Sequence, residues 1–120
     1  MAQPTKASED EAIRDVILRQ LRAFQRDDGP TAFSFTAPQI QLKFGTPDIF
    51  MRMVRIAYQQ VYRPQEIKFQ SLETIDERLV QKVLLVGPGG DLVVAHCSMV
   101  VVDGNWRIRG CLLVKSGQGV

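Results

Sequence analysis

Three side chains in this sequence are placed for proton-transfer chemistry: Glu73, Tyr58 and Tyr62. Taking a proton from beside a carbonyl needs a carboxylate base in an apolar pocket, plus a phenol or protonated acid to hold the enolate. Most carboxylates sit in turns or in the first helix. Asp27, Asp28 and Asp48 fall at helix ends, and Asp76, Asp91 and Asp103 bound strands. Glu73 differs, because it shares strand parity with Ile67 and Phe69, and an unbulged strand turns it inward. Tyr58 and Tyr62, one helical turn apart, would supply the phenol. Leu72 competes for the inward position, and a bulge there would send Glu73 to solvent.

Tyr58, Tyr62 and Arg63 also cluster just before Pro64. They read as a ligand-binding mouth in which Arg63 meets an anion, or as rings that cover core while their tips reach water. His96, the single histidine, and Cys111 read as a thiol–imidazole pair. The blander reading is a half-buried sheet position packing on a partner. One His and two Cys cannot supply the four ligands of a structural zinc site, so no metal and no cofactor is expected. Gly87-Pro88-Gly89-Gly90 lacks the Gly-Lys-Ser/Thr ending of a phosphate loop and reads as a turn.

These residues need elements to hold them. Ile13, Val16, Ile17, Leu21 and Phe24 recur at helical spacing, and Asp27-Asp28-Gly29-Pro30 stops the pattern, so a helix is expected over Ser8–Asp27. Ser8 with Glu11 makes a capping-box pattern, and Asp15 with Arg19 an i,i+4 ion pair. Two short helical turns follow, punctuated by Pro38 and Gly45. Thr46-Pro47-Asp48 starts a second long helix that ends near Tyr62. The second half changes period to β-rich runs: Ile67 onward, Leu79–Val86, Leu92–Val102 and Trp106–Val114. Helices first and a four-strand meander after them argue for α+β.

Asp103-Gly104 predicts a two-residue type I′ turn. In an unbroken register Met99 then faces Ile108, Cys97 faces Gly110, Ala95 faces Leu112 and Val93 faces Val114, all on a core face. The other face pairs Val100 with Arg107, Ser98 with Arg109, His96 with Cys111, and Val94 with Leu113. That mixed face predicts cover by a second copy through His96, Ser98, Val100, Arg109, Cys111 and Leu113. The parity of Leu79–Val86 stays open, since either choice puts Gln81 or Lys82 inward.

The order of elements resembles the nuclear transport factor 2-like (cystatin-like) superfamily, whose curved sheet wraps helices into a cone with a pocket at the wide end. The segment AFSFTAPQIQLKFGTPDIFMRMVRIAYQQVYRP from Ala32, the hairpin DGNWRIRGCLLV from Asp103 and the first helix resemble an uncharacterised bacterial family within it. The resemblance implies a cone with N-terminal helices packed on a curved four-stranded antiparallel sheet. It carries no catalytic residues, and relatives across the superfamily range from isomerases to association modules.

At 120 residues, the chain is the size of one domain, expected over 8–115 with an extended or disordered segment at 1–7 and a tail at 116–120. Its 45% apolar content argues against disorder, and its net charge of +2, with acids and bases interspersed, against a nucleic-acid partner. No run reaches the length of a membrane span, and the polar start Met1–Ala7 has no apolar leader, so a cytoplasmic chain is expected. The leading expectation is a non-catalytic module that binds a small apolar molecule or associates as a homodimer. The alternative is a small pocket enzyme of isomerase or dehydratase type, with Glu73 as base and Tyr58 or Tyr62 as electrophile.

Overall fold

The computed structural model describes residues 6–115, so the expected N-terminal segment lies outside it up to residue 5 and the tail at 116–120 lies outside it altogether. Helix α1 spans Lys6–Gln25, so Ser8 lies in its first turn. Ile13, Ile17, Leu21 and Phe24 are buried along one stripe. On the wet side Arg19 meets Asp15 at 3.0 Å. The helix closes with Asp27 at φ 56°. The Asp28 N–H donates to the Ala23 carbonyl at 2.8 Å, and the Asp27 N–H to that of Phe24 at 3.0 Å. This pairing satisfies carbonyls that the helix itself leaves open.

Asp28 then starts the next helix, its side chain accepting from the Thr31 N–H. Helices α2 (Gly29–Ser34) and α3 (Pro38–Phe44) are the two short turns expected. Thr46 caps α4 (Pro47–Ala57) by accepting from the Ile49 N–H. The second long helix does not run on to Tyr62. Tyr58 leaves the helical basin at φ −131°, ψ 55°, and α5 (Gln59–Tyr62) follows as a separate turn. The apolar spacing could not signal this break, because Val54, Val61 and Tyr62 keep one helical face across it.

Strands β1 (Glu66–Ile75), β2 (Arg78–Val86), β3 (Leu92–Val102) and β4 (Asn105–Lys115) form an antiparallel meander in the order β1-β2-β3-β4. The β1–β2 turn places Asp76 and Glu77 at φ 50° and 65°, and the β3–β4 turn places Asp103 and Gly104 at φ 51° and 81°. Positive φ at both central residues is what a type I′ turn requires. The inner face carries Val83, Leu85, Val93, Ala95, Cys97, Met99 and Ile108 into the core with α1 and α4. The fold is the expected α+β cone, with helices against one face of a curved sheet.

Two bulges decide which side chains point inward. In β1 the pairing passes from Phe69↔Val83 to Leu72↔Gln81, which leaves Gln70 and Ser71 opposite Lys82. In β2, whose alternation is unbroken, Gln81 shares the inner face with Val83 and Leu85 at 0% exposure, and Lys82 is outside. The Gln81 amide donates to the carbonyls of Gln70 at 2.9 Å and Ser71 at 3.4 Å, and so fills the gap in the ladder.

In β4 the expected register holds from Val102↔Asn105 to Met99↔Ile108 and then slips, because Arg109 has no partner. Beyond it Cys97 faces Cys111, His96 faces Leu112, Ala95 faces Leu113 and Val94 faces Val114. Cys111 and Leu113 therefore pack on the core rather than on the outer face. Leu112, 65% exposed, and Val114, 41% exposed, take their place outside. The slip falls where β4 is held on its other edge. The Ile108 N–H donates to the Phe35 carbonyl at 2.8 Å, and the Ile108 carbonyl accepts from Ala37 at 2.9 Å. A bulge bends a strand locally, and here the bend brings β4 against the α2–α3 connector, with Thr36 bridged to Ile108.

Candidate functional site

A cavity of about 570 Å³ opens between α3, α4 and the bulged part of β4. That volume is in the usual range for a small-molecule site, roughly 300–1,000 Å³. Its apolar wall begins with an aromatic cluster. Phe50 lies with its ring centroid 6.0 Å from Phe24, 5.4 Å from Phe33 and 5.7 Å from Phe44. Phe50 and Val54 share the buried face of α4, Ile40 and Phe44 come from α3, and Ile108 and Cys111 close the sheet side.

Few polar groups reach this wall. Gln20 interrupts the apolar stripe of α1, is buried, and donates through Nε2 to the Ala32 carbonyl at 3.1 Å. The Thr36 hydroxyl donates to the Phe33 carbonyl at 2.6 Å. Half-buried Tyr58 lines the wall where α4 breaks, and exposed Lys43 stands at the rim with Nζ 5.5 Å from the Phe44 ring centroid. Among the described residues no carboxylate lines the cavity. The chemistry on offer is hydrogen bonding and one cationic rim group around an apolar hollow.

The three residues read as a catalytic set are not brought together. The β1 bulge turns Glu73 to the outer face, opposite Val80. There it accepts from the Ser71 hydroxyl at 2.5 Å and pairs with Lys82 at 3.0 Å. The Ser71 hydroxyl, followed by Lys82, holds its carboxyl below the usual range. A base in that position cannot reach a substrate in the cavity. Tyr58 faces the cavity, whereas Tyr62 and Arg63 line a separate groove of about 380 Å³ with Asp27, Arg55 and Gln59.

In that groove Asp27 is the shared acceptor. The Tyr62 hydroxyl donates to its Oδ1, and Arg63 Nη2 to both of its oxygens at 3.0 and 3.1 Å. Arg63 also donates to the Gln25 carbonyl, so its charge is already engaged in closing α1. The Tyr62 hydroxyl, with help from Arg63, holds Asp27 below the usual carboxylate range. Burial and the same hydrogen bond push the Tyr62 phenol up. Of the three residues read as a ligand mouth, Tyr62 and Arg63 tie α5 to the end of α1, and Tyr58 lines the cavity.

Sequence reasoning missed Gln20, Thr36, Lys43 and Phe44 as cavity residues. Gln20 carried a signal, since it shares a helical face with Ile13, Ile17 and Phe24. A polar side chain inside an apolar stripe marks either a buried hydrogen bond or a site. Lys43 and Phe44 carried none, because a seven-residue helix is too short to show a period. The thiol–imidazole pair is absent: Cys111 faces Cys97, and His96 points outward beside Leu112.

Residues 6–119 match the family described as "Domain of unknown function (DUF4864)", and the chain belongs to that family. No curated protein matches it. Among solved structures, Aln2 from a Streptomyces species is similar over 95% of this chain and 94% of its own, with a TM-score of 0.57 at 15% identity. A likeness at that identity is one of fold.

Proposed function

We propose that this member of the DUF4864 family is a binding module for a small, mainly apolar molecule that carries one anionic or hydrogen-bonding group. The observation that carries the reading is the cavity, whose wall is apolar apart from Gln20, Thr36 and Tyr58 and whose rim carries Lys43. An apolar ligand body gains by leaving water, and sparse polar groups fix its orientation. The outward position of Glu73 removes the base that proton abstraction would use, which favours binding over isomerase chemistry. The cone and its likeness to Aln2 support our assignment of the family to the nuclear transport factor 2-like superfamily.

The test uses 8-anilinonaphthalene-1-sulfonate, an apolar anion. Saturable fluorescence at one site per chain is expected. Met53→Trp, which adds bulk to the cavity wall, should abolish the signal while the far-ultraviolet circular dichroism stays unchanged. Lys43→Gln should weaken binding several-fold. No saturable signal, or equal binding by folded Met53→Trp, would overturn the reading.

A second reading rests on the outer face of β3 and β4. Leu112 opposite His96 and Val114 opposite Val94 form an exposed apolar patch. We propose that a second copy covers it, with His96, Ser98, Val100 and Arg109 at the contact as expected, and with Leu112 and Val114 in the roles first given to Cys111 and Leu113.

A further inference from the structure

The β4 bulge creates an arrangement that an unbroken register does not contain. It brings the two cysteines of the chain directly opposite one another, with their sulfurs 2.7 Å apart. Both are free thiols. The backbone suits a bond between them. Ile108 spends its N–H and carbonyl on Phe35 and Ala37, so Met99↔Ile108 is not a hydrogen-bonded pair. Pairs alternate along a strand, and Cys97 lies two residues from Met99, so Cys97↔Cys111 belongs to the same class. In that class the Cα atoms lie about 4.5 Å apart, inside the range of roughly 4.4–6.8 Å that a disulfide spans.

The two sulfurs differ in access. Cys97 is 4% exposed, whereas Cys111 is half-buried and lines the cavity. The adjoining Cys111 sulfur and full burial push the Cys97 thiol well up, which keeps its proton in place. An oxidant small enough to enter the cavity therefore meets Cys111 first.

We propose that Cys97 and Cys111 are a redox modification site, at which hydrogen peroxide or a comparably small hydroperoxide converts the dithiol to an intramolecular disulfide. The Cys111 thiolate attacks one peroxide oxygen, an S–O bond forms and the O–O bond breaks. The departing hydroxide takes up a proton as water and leaves Cys111 as the sulfenic acid. The Cys97 sulfur then attacks the Cys111 sulfur. The S–O bond breaks, and the second hydroxide leaves as water with the Cys97 proton. Two thiols have lost two electrons in all, and one peroxide has become two waters. A thiol reductant reverses the step by exchange. The site stands on strand register and does not require the cavity to hold a ligand.

The test exposes the reduced, full-length protein to equimolar hydrogen peroxide, then unfolds it in an alkylating agent and records the intact mass. A monomer lighter by two hydrogens, with neither cysteine alkylated, is expected, and dithiothreitol should restore both thiols. Cys97→Ala should stop at the Cys111 sulfenic acid, which a cyclic 1,3-diketone traps. Three results would overturn the proposal: a chain that gains oxygen at Cys111 while Cys97 stays alkylatable, a covalent dimer, or two intact thiols under conditions that oxidise glutathione. If Cys97→Ala fails to fold, the wild-type mass decides alone.

Discussion

The side-chain amide of Gln81 donates to the backbone carbonyl of Gln70 at 2.9 Å, across the bulge that β1 makes against β2. The same nitrogen reaches Ser71 and Lys82, so one buried side chain stands in for the ladder bonds the bulge gives up. Leaving a buried polar group unpaired costs about 1–3 kcal/mol. Gln81 Oε1 has no partner among the described residues, which offsets part of the gain. Gln81→Leu should thus cost about 1–3 kcal/mol, read as a lower urea midpoint at unchanged slope.

Asp27 and Tyr62 set a pH window. The lowered Asp27 value adds stability that is present above the ordinary aspartate pKa and lost as pH falls through the folded one. The raised Tyr62 value adds stability that is present below the ordinary phenol pKa and lost as pH rises through the folded one. Tyr62→Phe should lower the melting temperature most at neutral pH and flatten both limbs. Melting curves from acid to alkaline pH, for wild type and variant, check this.

Phe50 packs against Phe24, Phe33 and Phe44, and with Phe24 and Phe44 it lines the cavity. Phe50→Ala should cost about 3–5 kcal/mol, because the rings cannot close the void completely. Chemical denaturation measures it. Phe50→Leu should lose markedly less.

Glu73 lies on the far side of the sheet from the cavity. Glu73→Gln should therefore leave dye affinity within twofold of wild type while breaking the ion pair with Lys82. A titration of both proteins with 8-anilinonaphthalene-1-sulfonate reads the difference.

The outer patch predicts its own disruption. Leu112→Glu should shift a dimer to monomer in sedimentation velocity, whereas Leu42→Glu, at an exposed site on α3, should leave the mass unchanged.

What the sequence made legible follows from how strongly each choice was forced. The α1 stripe admits one buried face, and Asp103-Gly104 admits one tight turn, so both could be read directly. The bulges could not. From Cys111 to Val114 every residue is apolar, and a slip of one position exchanges one acceptable face for another. Gln81 and Lys82 posed the same tie on β2. Bonds distant in the chain broke both ties: Ile108 to Phe35 and Ala37 in one case, Gln81 to Gln70 in the other. Cys111 and Leu113 were misplaced for that one reason, and Glu73 was left between two faces.

The bridge between Thr36 and Ile108 also bears on how the chain assembles. Each ladder of the meander joins neighbours in sequence, whereas this bridge closes a loop that contains α3, α4, α5 and three of the four strands. Closing a long loop costs entropy before its contacts repay it. The two backbone bonds of Ile108 therefore fasten the helical half to β4 against the entropy of closing that loop. Because Ile108 also lines the cavity, the contact that closes this loop also holds one wall of the hollow in place.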